Sequence, residues 1–261
     1  MDFDNIIFEK SDGVAKITLN RPQEMNAINR GLLEELLKAL NDVEGDDQVK
    51  VLVITGAGKA FCVGGDLKYL SGLMSRPMEV LHFTRFWKNV YNAIEDSTKP
   101  VIAAINGVAL AGGLELVLVC DLAVASEDAM LGDQHANYGL VAGIGGTQRL
   151  PRIVGIRRAK ELLLTGDWIS AQEAYRIGLV NRVAPAGELK RTVDEMVSKL
   201  VTKSPLAAKA TKRLVNLGMQ TDLRTALELE CGLTRELAAS EDVKEGVRAF
   251  GEKRAPVFKG S

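Results

Sequence analysis

Histidine is almost missing from this sequence, which has only His82 and His135, and aromatic residues make up just 5% of it. Cysteine is nearly as scarce: Cys62, Cys120 and Cys231 are odd in number and far apart. Such spacing argues against a disulfide framework and, with so few histidines, against a zinc site. It suits a reducing compartment. No charge sign dominates, since 33 basic residues face 34 acidic ones for a net charge of −1. A nucleic acid or an anionic membrane surface would therefore meet no general basic field. No apolar run reaches the ~18 residues of a membrane span. Met1-Asp2-Phe3-Asp4 is acidic and lacks the basic and apolar regions of a signal peptide. The expectation is a soluble cytoplasmic protein with neither a nucleic-acid nor a membrane partner.

What is present is 261 residues, 46% of them hydrophobic, enough for a large core. Ile6–Glu9 and Val14–Leu19, separated by Lys10-Ser11-Asp12-Gly13, read as a hairpin. Arg30–Asn41 carries Leu32, Leu33, Leu36, Leu37 and Leu40 at helical spacing, and Phe83, Trp87, Val90, Tyr91 and Ile94 form a second such stripe. Val51–Ile54 and Val101–Ile105 are short, continuous apolar runs, as buried strands are. A helix from about Gly112 to Cys120 and a strand over Leu122–Ala125 follow. This alternation predicts α/β layering. Beyond Thr147 the pattern turns helical, with a capping box at Ser170-Ala171-Gln172-Glu173 and a Ser204-Pro205 helix start. Two further helices are expected over Thr221–Ala239 and Asp242–Glu252.

Two glycine-rich turns each follow a buried strand: Gly56 to Asp66, and Asn106 to Glu115. Glycine allows close approach to a ligand, and a helix start leaves backbone N–H groups unpaired. Two such turns facing each other can aim N–H donors at a developing oxyanion. The simpler alternative is that these glycines only make tight turns. Nucleotide motifs fail on inspection. Gly58-Lys59 is followed by Ala60, so the hydroxyl that would hold Mg²⁺ is absent, and Gly143-Ile144-Gly145-Gly146-Thr147-Gln148 lacks the third glycine of a dinucleotide fingerprint.

Five motifs in order then carry a resemblance. They are Asn20-Arg21-Pro22 through Asn26-Ala27; Ala60-Phe61-Cys62-Val63-Gly64-Gly65-Asp66-Leu67; Asn106-Gly107 to Glu115-Leu116; Gly145-Gly146-Thr147-Gln148-Arg149-Leu150; and Glu245-Gly246 to Ala249-Phe250 with Glu252-Lys253-Arg254. Together they resemble the enoyl-CoA hydratase/isomerase (crotonase) family from about Phe8 to Phe258. The resemblance implies an α/β fold, a spiral of ββα repeats over residues 1–200. It also implies a helical oligomerisation region over 201–261 and a homo-trimer or hexamer. The implied reaction is that of an acyl-CoA thioester lyase, which hydrates an enoyl-CoA or dehydrates a 3-hydroxyacyl-CoA through an oxyanion-stabilised enolate. Isomerisation, decarboxylation or hydrolysis on the same site, or non-catalytic acyl-CoA binding, are the alternatives. Coenzyme A would enter as part of the substrate, with no other cofactor and no metal.

The resemblance also assigns residues. Val63 and Gly112 match the backbone donors of the oxyanion hole, and Glu115 matches the first of two acid/base glutamates. An N-terminal helix carboxylate complementing the dipole is the plainer reading of Glu115, but the surrounding Leu114–Val119 stretch is apolar, where an unpaired carboxylate is costly. Counting back from Gly145-Gly146-Thr147, the second glutamate position falls on His135. This is a departure: histidine exchanges a proton near neutrality but is not the acceptor-only group an ionised glutamate is. His82 has no motif support and reads as structural or surface. Met25, Ala27, Lys59, Ala60, Asp66 and Leu67 match the coenzyme A side of the pocket. Phe258 and Lys259 match the C-terminal region that reaches it, often from a neighbouring subunit.

Overall fold

The computed structural model describes residues 2–261. Strands β1 (Ile6–Ser11) and β2 (Val14–Leu19) form the expected hairpin, paired from Ile6↔Leu19 to Ser11↔Val14. The first strand runs two residues past Glu9, leaving only Asp12 and Gly13, both at positive φ, to turn the chain. Helix α1 (Arg30–Glu44) follows, its first turn capped by the Asn29 side chain accepting from Leu32 N.

Three strand–strand–helix units come next. The first is β3 (Val51–Gly56), β4 (Ala60–Cys62), α2 (Leu67–Leu73) and α3 (Pro77–Glu95). The second is β5 (Val101–Ile105), β6 (Val108–Leu110) and α4 (Gly112–Leu118). The third is β7 (Leu122–Ser126), β8 (Met130–Gly132) and, after a 3₁₀ turn over His135–Tyr138, α5 (Gly146–Val154). Each unit gives its first strand to a six-stranded sheet, order β1-β2-β3-β5-β7-β10, and its second to a four-stranded sheet, order β4-β6-β8-β9. Here β9 is Trp168–Ser170 and β10 is Arg182–Ala184. Apart from the β1–β2 and β8–β9 pairs, every pairing is parallel. The chain is thus a spiral of ββα repeats, as the family pattern implies.

The apolar runs are continuous because the large sheet is covered on both faces. Leu52, Ile54, Ala103 and Ile105 join the main core with α1, α3 and α4. The alternate residues Val51, Val53, Ile102 and Ala104 meet Val193, Met196 and Val197 of α8 (Leu189–Leu200) on the other face. All five residues of the Phe83–Ile94 stripe are buried on α3.

Helices α6 (Ile156–Thr165), α7 (Ala171–Arg176), α9 (Pro205–Gly218), α10 (Leu223–Ala238) and α11 (Glu241–Glu252) complete the chain. The capping box at α7 is half formed. Ser170 Oγ accepts from Glu173 N at 3.2 Å, but the Glu173 carboxylate is drawn to Arg158 and Arg176 instead of back to Ser170. Ser204 caps α9 as expected, with Pro205 at its first position. Among the described residues no helix is long and apolar enough to cross a membrane.

Candidate active site

Strands β4, β6 and β8 lie side by side and parallel, so their carboxyl ends share one edge of the small sheet. Val63 follows the first, Ala111 and Gly112 follow the second, and Asp133 to His135 follow the third. Ligands in parallel α/β sheets commonly sit at this edge. A cavity of about 410 Å³ opens there, lined among others by Ala27, Val63, Asp66, Leu67, Trp87 and His135.

The turns after β4 and β6 touch. A methyl group at Gly64, whose φ is +92°, would fall 2.8 Å from Gly112 N and 2.9 Å from Ala111 Cβ. Gly112 is the first residue of α4, so its N–H has no intrahelical acceptor and lies at the positive end of the helix. Tyr91 Oη donates to Gly112 O at 2.8 Å, fixing the plane of that first turn. Ala111 reaches it through φ 48°, ψ −117°, a conformation that suits glycine better than alanine.

Glu115 is on the inner face of α4 and is 1% exposed. Its Oε1 accepts from Ile144 N and Gly146 N, both at 2.8 Å, while Oε2 is buried with no protein partner. Burial pushes its carboxyl above the usual range; the two N–H groups and the charge of His135 oppose that without cancelling it. A buried carboxylate held by one oxygen, with the other unpaired within the protein, has the lone pairs and the raised proton affinity that proton exchange uses. Arg149 braces the loop that holds it, donating to Ile144 O at 3.0 Å while paired with Glu95 and Asn92.

His135 opens the 3₁₀ turn, half-buried at the cavity wall. Its Nδ1 lies 2.9 Å from Oδ2 of Asp133, which is itself 1% exposed. Burial works against the imidazolium, but the Asp133 bond and the negative charges of Asp133 and Glu115 outweigh it and raise its pKa above 6.5. Cys62, beside the Val63 turn, is not a nucleophile candidate, because burial pushes its thiol up to about 12.

The sequence profile of the enoyl-CoA hydratase/isomerase family matches residues 9–261. The chain belongs to that family. It is 42% identical over 259 residues to the crotonyl-CoA hydratase of Syntrophomonas wolfei, covering 99% of each chain. It is 41% identical over 255 residues to the short-chain-enoyl-CoA hydratase of Clostridium acetobutylicum, covering 97% of each. The crystal structure of enoyl-CoA hydratase from Bacillus anthracis superposes with a TM-score of 0.95 at 41% identity, covering 99% of this chain and 100% of that one. The protein is an enzyme of the enoyl-CoA hydratase type.

The family's remaining positions are distributed unevenly. Ala27, Asp66 and Leu67 line the cavity, whereas Lys59 and Met25 are exposed outside its lining. Asp66 is also structural: it caps α2 through Tyr69 N at 3.0 Å and pairs with Arg21 at 2.9 Å. Ala60 is buried, its carbonyl accepting from Asn26 Nδ2 at 2.8 Å. Phe258 and Lys259 do not line the cavity of their own chain. The C-terminal segment is tied to α11, with Lys259 N donating to Asp242 Oδ1 at 2.8 Å. His82 is exposed on α3.

Sequence reasoning missed Asp133, and it gave no role to Asn26 or Arg149 although both stand within the motifs. Asn26 is fully buried and satisfied by Arg21 N, Ala57 O and Ala60 O, which locks the turn beneath the cavity. The available signal for Asp133 was its position two residues before His135, inside a segment otherwise chosen only for the histidine.

Proposed function

We propose that the enzyme adds water across the double bond of an enoyl-CoA, and removes it from the 3-hydroxyacyl-CoA in reverse. The observation that supports this reading is a buried, half-satisfied Glu115 carboxylate within electrostatic reach of a His135 imidazole held by Asp133. Glu115 takes a proton from water as its oxygen bonds to the β-carbon. The electrons of the double bond move onto the thioester oxygen. The Val63 and Gly112 N–H groups hold the resulting enolate. His135 gives a proton to the α-carbon, and proton exchange with solvent resets the pair. Because the enolate charge exists only after addition begins, donors aimed at that oxygen favour the transition state over bound substrate. The coenzyme A portion crosses the mouth beside Ala27, Asp66 and Leu67, with Met25 and Lys59 on the adjoining turns and Ala60 buried at the start of β4.

The departure at His135 supports a second reading, in which Glu115 alone serves isomerisation, decarboxylation or hydrolysis. Incubating the enzyme with a panel of CoA thioesters and weighing the products separates the two. Gain of the mass of water on an enoyl-CoA, lost in Glu115→Gln, is the expected result. Unchanged mass, loss of CO₂ or release of free coenzyme A would replace the hydratase reading.

We infer further that residues 201–261 form an assembly region in a trimer or hexamer, with Phe258 and Lys259 reaching a neighbour's site. Supporting this, α10 buries no residue within its own chain, and Phe250 of α11 is 88% exposed. Light scattering showing a monomer would overturn it.

A further inference from the structure

We propose that Asp133 is a positioning residue that lets His135 stand in for a carboxylic acid, by fixing its tautomer and supplying the negative charge that histidine lacks. This rests on the hydratase reading above and deepens it.

The geometry decides the tautomer. Asp133 Oδ2 is 2.9 Å from His135 Nδ1, and Oδ1 lies 3.3 Å from His135 N. A carboxylate only accepts, so Nδ1 must carry hydrogen, and the exchangeable proton is confined to Nε2. Asp133 is nearly inaccessible, and its carboxylate has no other hydrogen-bond partner among the described residues. A buried ionised carboxylate needs a cation, and His135 is the one cation bonded to it.

Charge counting shows why this matters. Two glutamates sharing one proton carry a net charge of −1. Replacing the protonated one by an imidazolium makes the pair neutral. Adding Asp133 restores −1: Glu115 and Asp133 negative, His135 positive. The site then holds one base and one acid, as the two-glutamate pair does, and the charges facing His135 are those of Asp133 and Glu115. The bond from Asp133 and the charges of Asp133 and Glu115 raise the pKa of His135 against the opposing effect of burial, and so favour its acid form.

Two experiments test the assignment. In the first, Asp133→Asn keeps size and removes charge. The chain has two histidines, so ring-labelled NMR with His135→Gln as the assignment control follows His135 directly. The proton affinity of His135 should fall about tenfold or more, and the alkaline limb of kcat should move to lower pH by the same factor. A merely structural role would lower activity at every pH and leave both titrations in place. In the second, His135→Glu alone places three carboxylates together and should be nearly inactive. Asp133→Gln with His135→Glu removes the surplus charge and should recover at least about tenfold over His135→Glu. An unmoved His135 titration in Asp133→Asn, or a double variant no better than His135→Glu, would overturn the proposal. The NMR result needs no turnover, so it stands apart from the fate of the hydratase reading itself.

Discussion

Adding a single methyl group at Gly112 offers a sharp test of the proposed oxyanion hole. A Cβ there would lie 2.4 Å from Trp87 Cζ2, 2.7 Å from Cη2 and 3.3 Å from Gly64 Cα. The indole is poorly placed to give way, because its ring is packed between those of Phe83 at 5.7 Å and Tyr91 at 5.9 Å. Restoring ordinary carbon–carbon separation near ~3.5 Å then requires the start of α4 to retreat by about 1 Å. That shift carries the Gly112 N–H away from the thioester oxygen. A misplacement of about 1 Å costs on the order of 10²-fold, and complete loss of such a donor costs about 10²–10³-fold. Gly112→Ala should therefore lower kcat by about 10²-fold with a smaller change in KM, and cost roughly 1–3 kcal/mol of stability through overpacking. Trp87→Phe removes the outer indole ring, so in the Gly112→Ala background it should return at least about tenfold of the lost turnover, since contacting residues are non-additive. The assay is the disappearance of the conjugated enoyl thioester absorbance, with thermal unfolding followed by circular dichroism. A folded Gly112→Ala enzyme with parental kcat would refute the placement of this donor.

Two further outcomes follow from the same helix. Ala111 holds φ 48°, ψ −117°, so Ala111→Gly should relieve about 1–3 kcal/mol of backbone strain against about 0.4–1 kcal/mol of added unfolded-state freedom. The denaturant midpoint should rise, and a fall would contradict the strain argument. Glu115 has a raised folded-state pKa, so its contribution to stability is fully present below the unfolded pKa and lost as pH rises through the folded one. Glu115→Gln escapes that loss. Chemical denaturation should find the variant and parent converging at acid pH and the variant more stable above neutrality, whereas parallel profiles would rule this out.

Much of this architecture was legible because its signals are periodic. The Phe83–Ile94 stripe shows a helix that buries one face, and Val51–Ile54 is continuous because both faces of its sheet are covered. The small sheet was not legible. Its strands Ala60–Cys62 and Val108–Leu110 are three residues long and lie inside segments that read as glycine-rich turns, too short for any alternation. Glu115 and His135 were found through the motif pattern, but the Asp133–His135 bond was not. It depends on Gln134 adopting a left-handed conformation, φ 55°, which brings the side chains on either side together. No residue type at position 134 announces that. The half-formed capping box failed for a related reason: Arg158 and Arg176, one of them distant in sequence, compete for Glu173.

The three segments at the edge of the small sheet divide the labour in a way that bears on how such an enzyme changes over time. The proposed oxyanion donors, Val63 and Gly112, are main-chain N–H groups on two turns held in contact through Gly64 and Gly112, so their placement depends on how the turns touch rather than on which side chains they bear. In the proposed mechanism proton handling belongs to side chains on separate supports, Glu115 on α4 and His135 on the 3₁₀ turn after β8. Exchanging an imidazole for a carboxyl group at position 135 therefore leaves the glycine contacts that set the N–H geometry where they are. On the proposed mechanism, mutation at positions 115 and 135 would redirect the reaction while the anion-stabilising frame persists, so a lineage built on this scaffold could explore new thioester chemistry without first losing its means of stabilising an enolate.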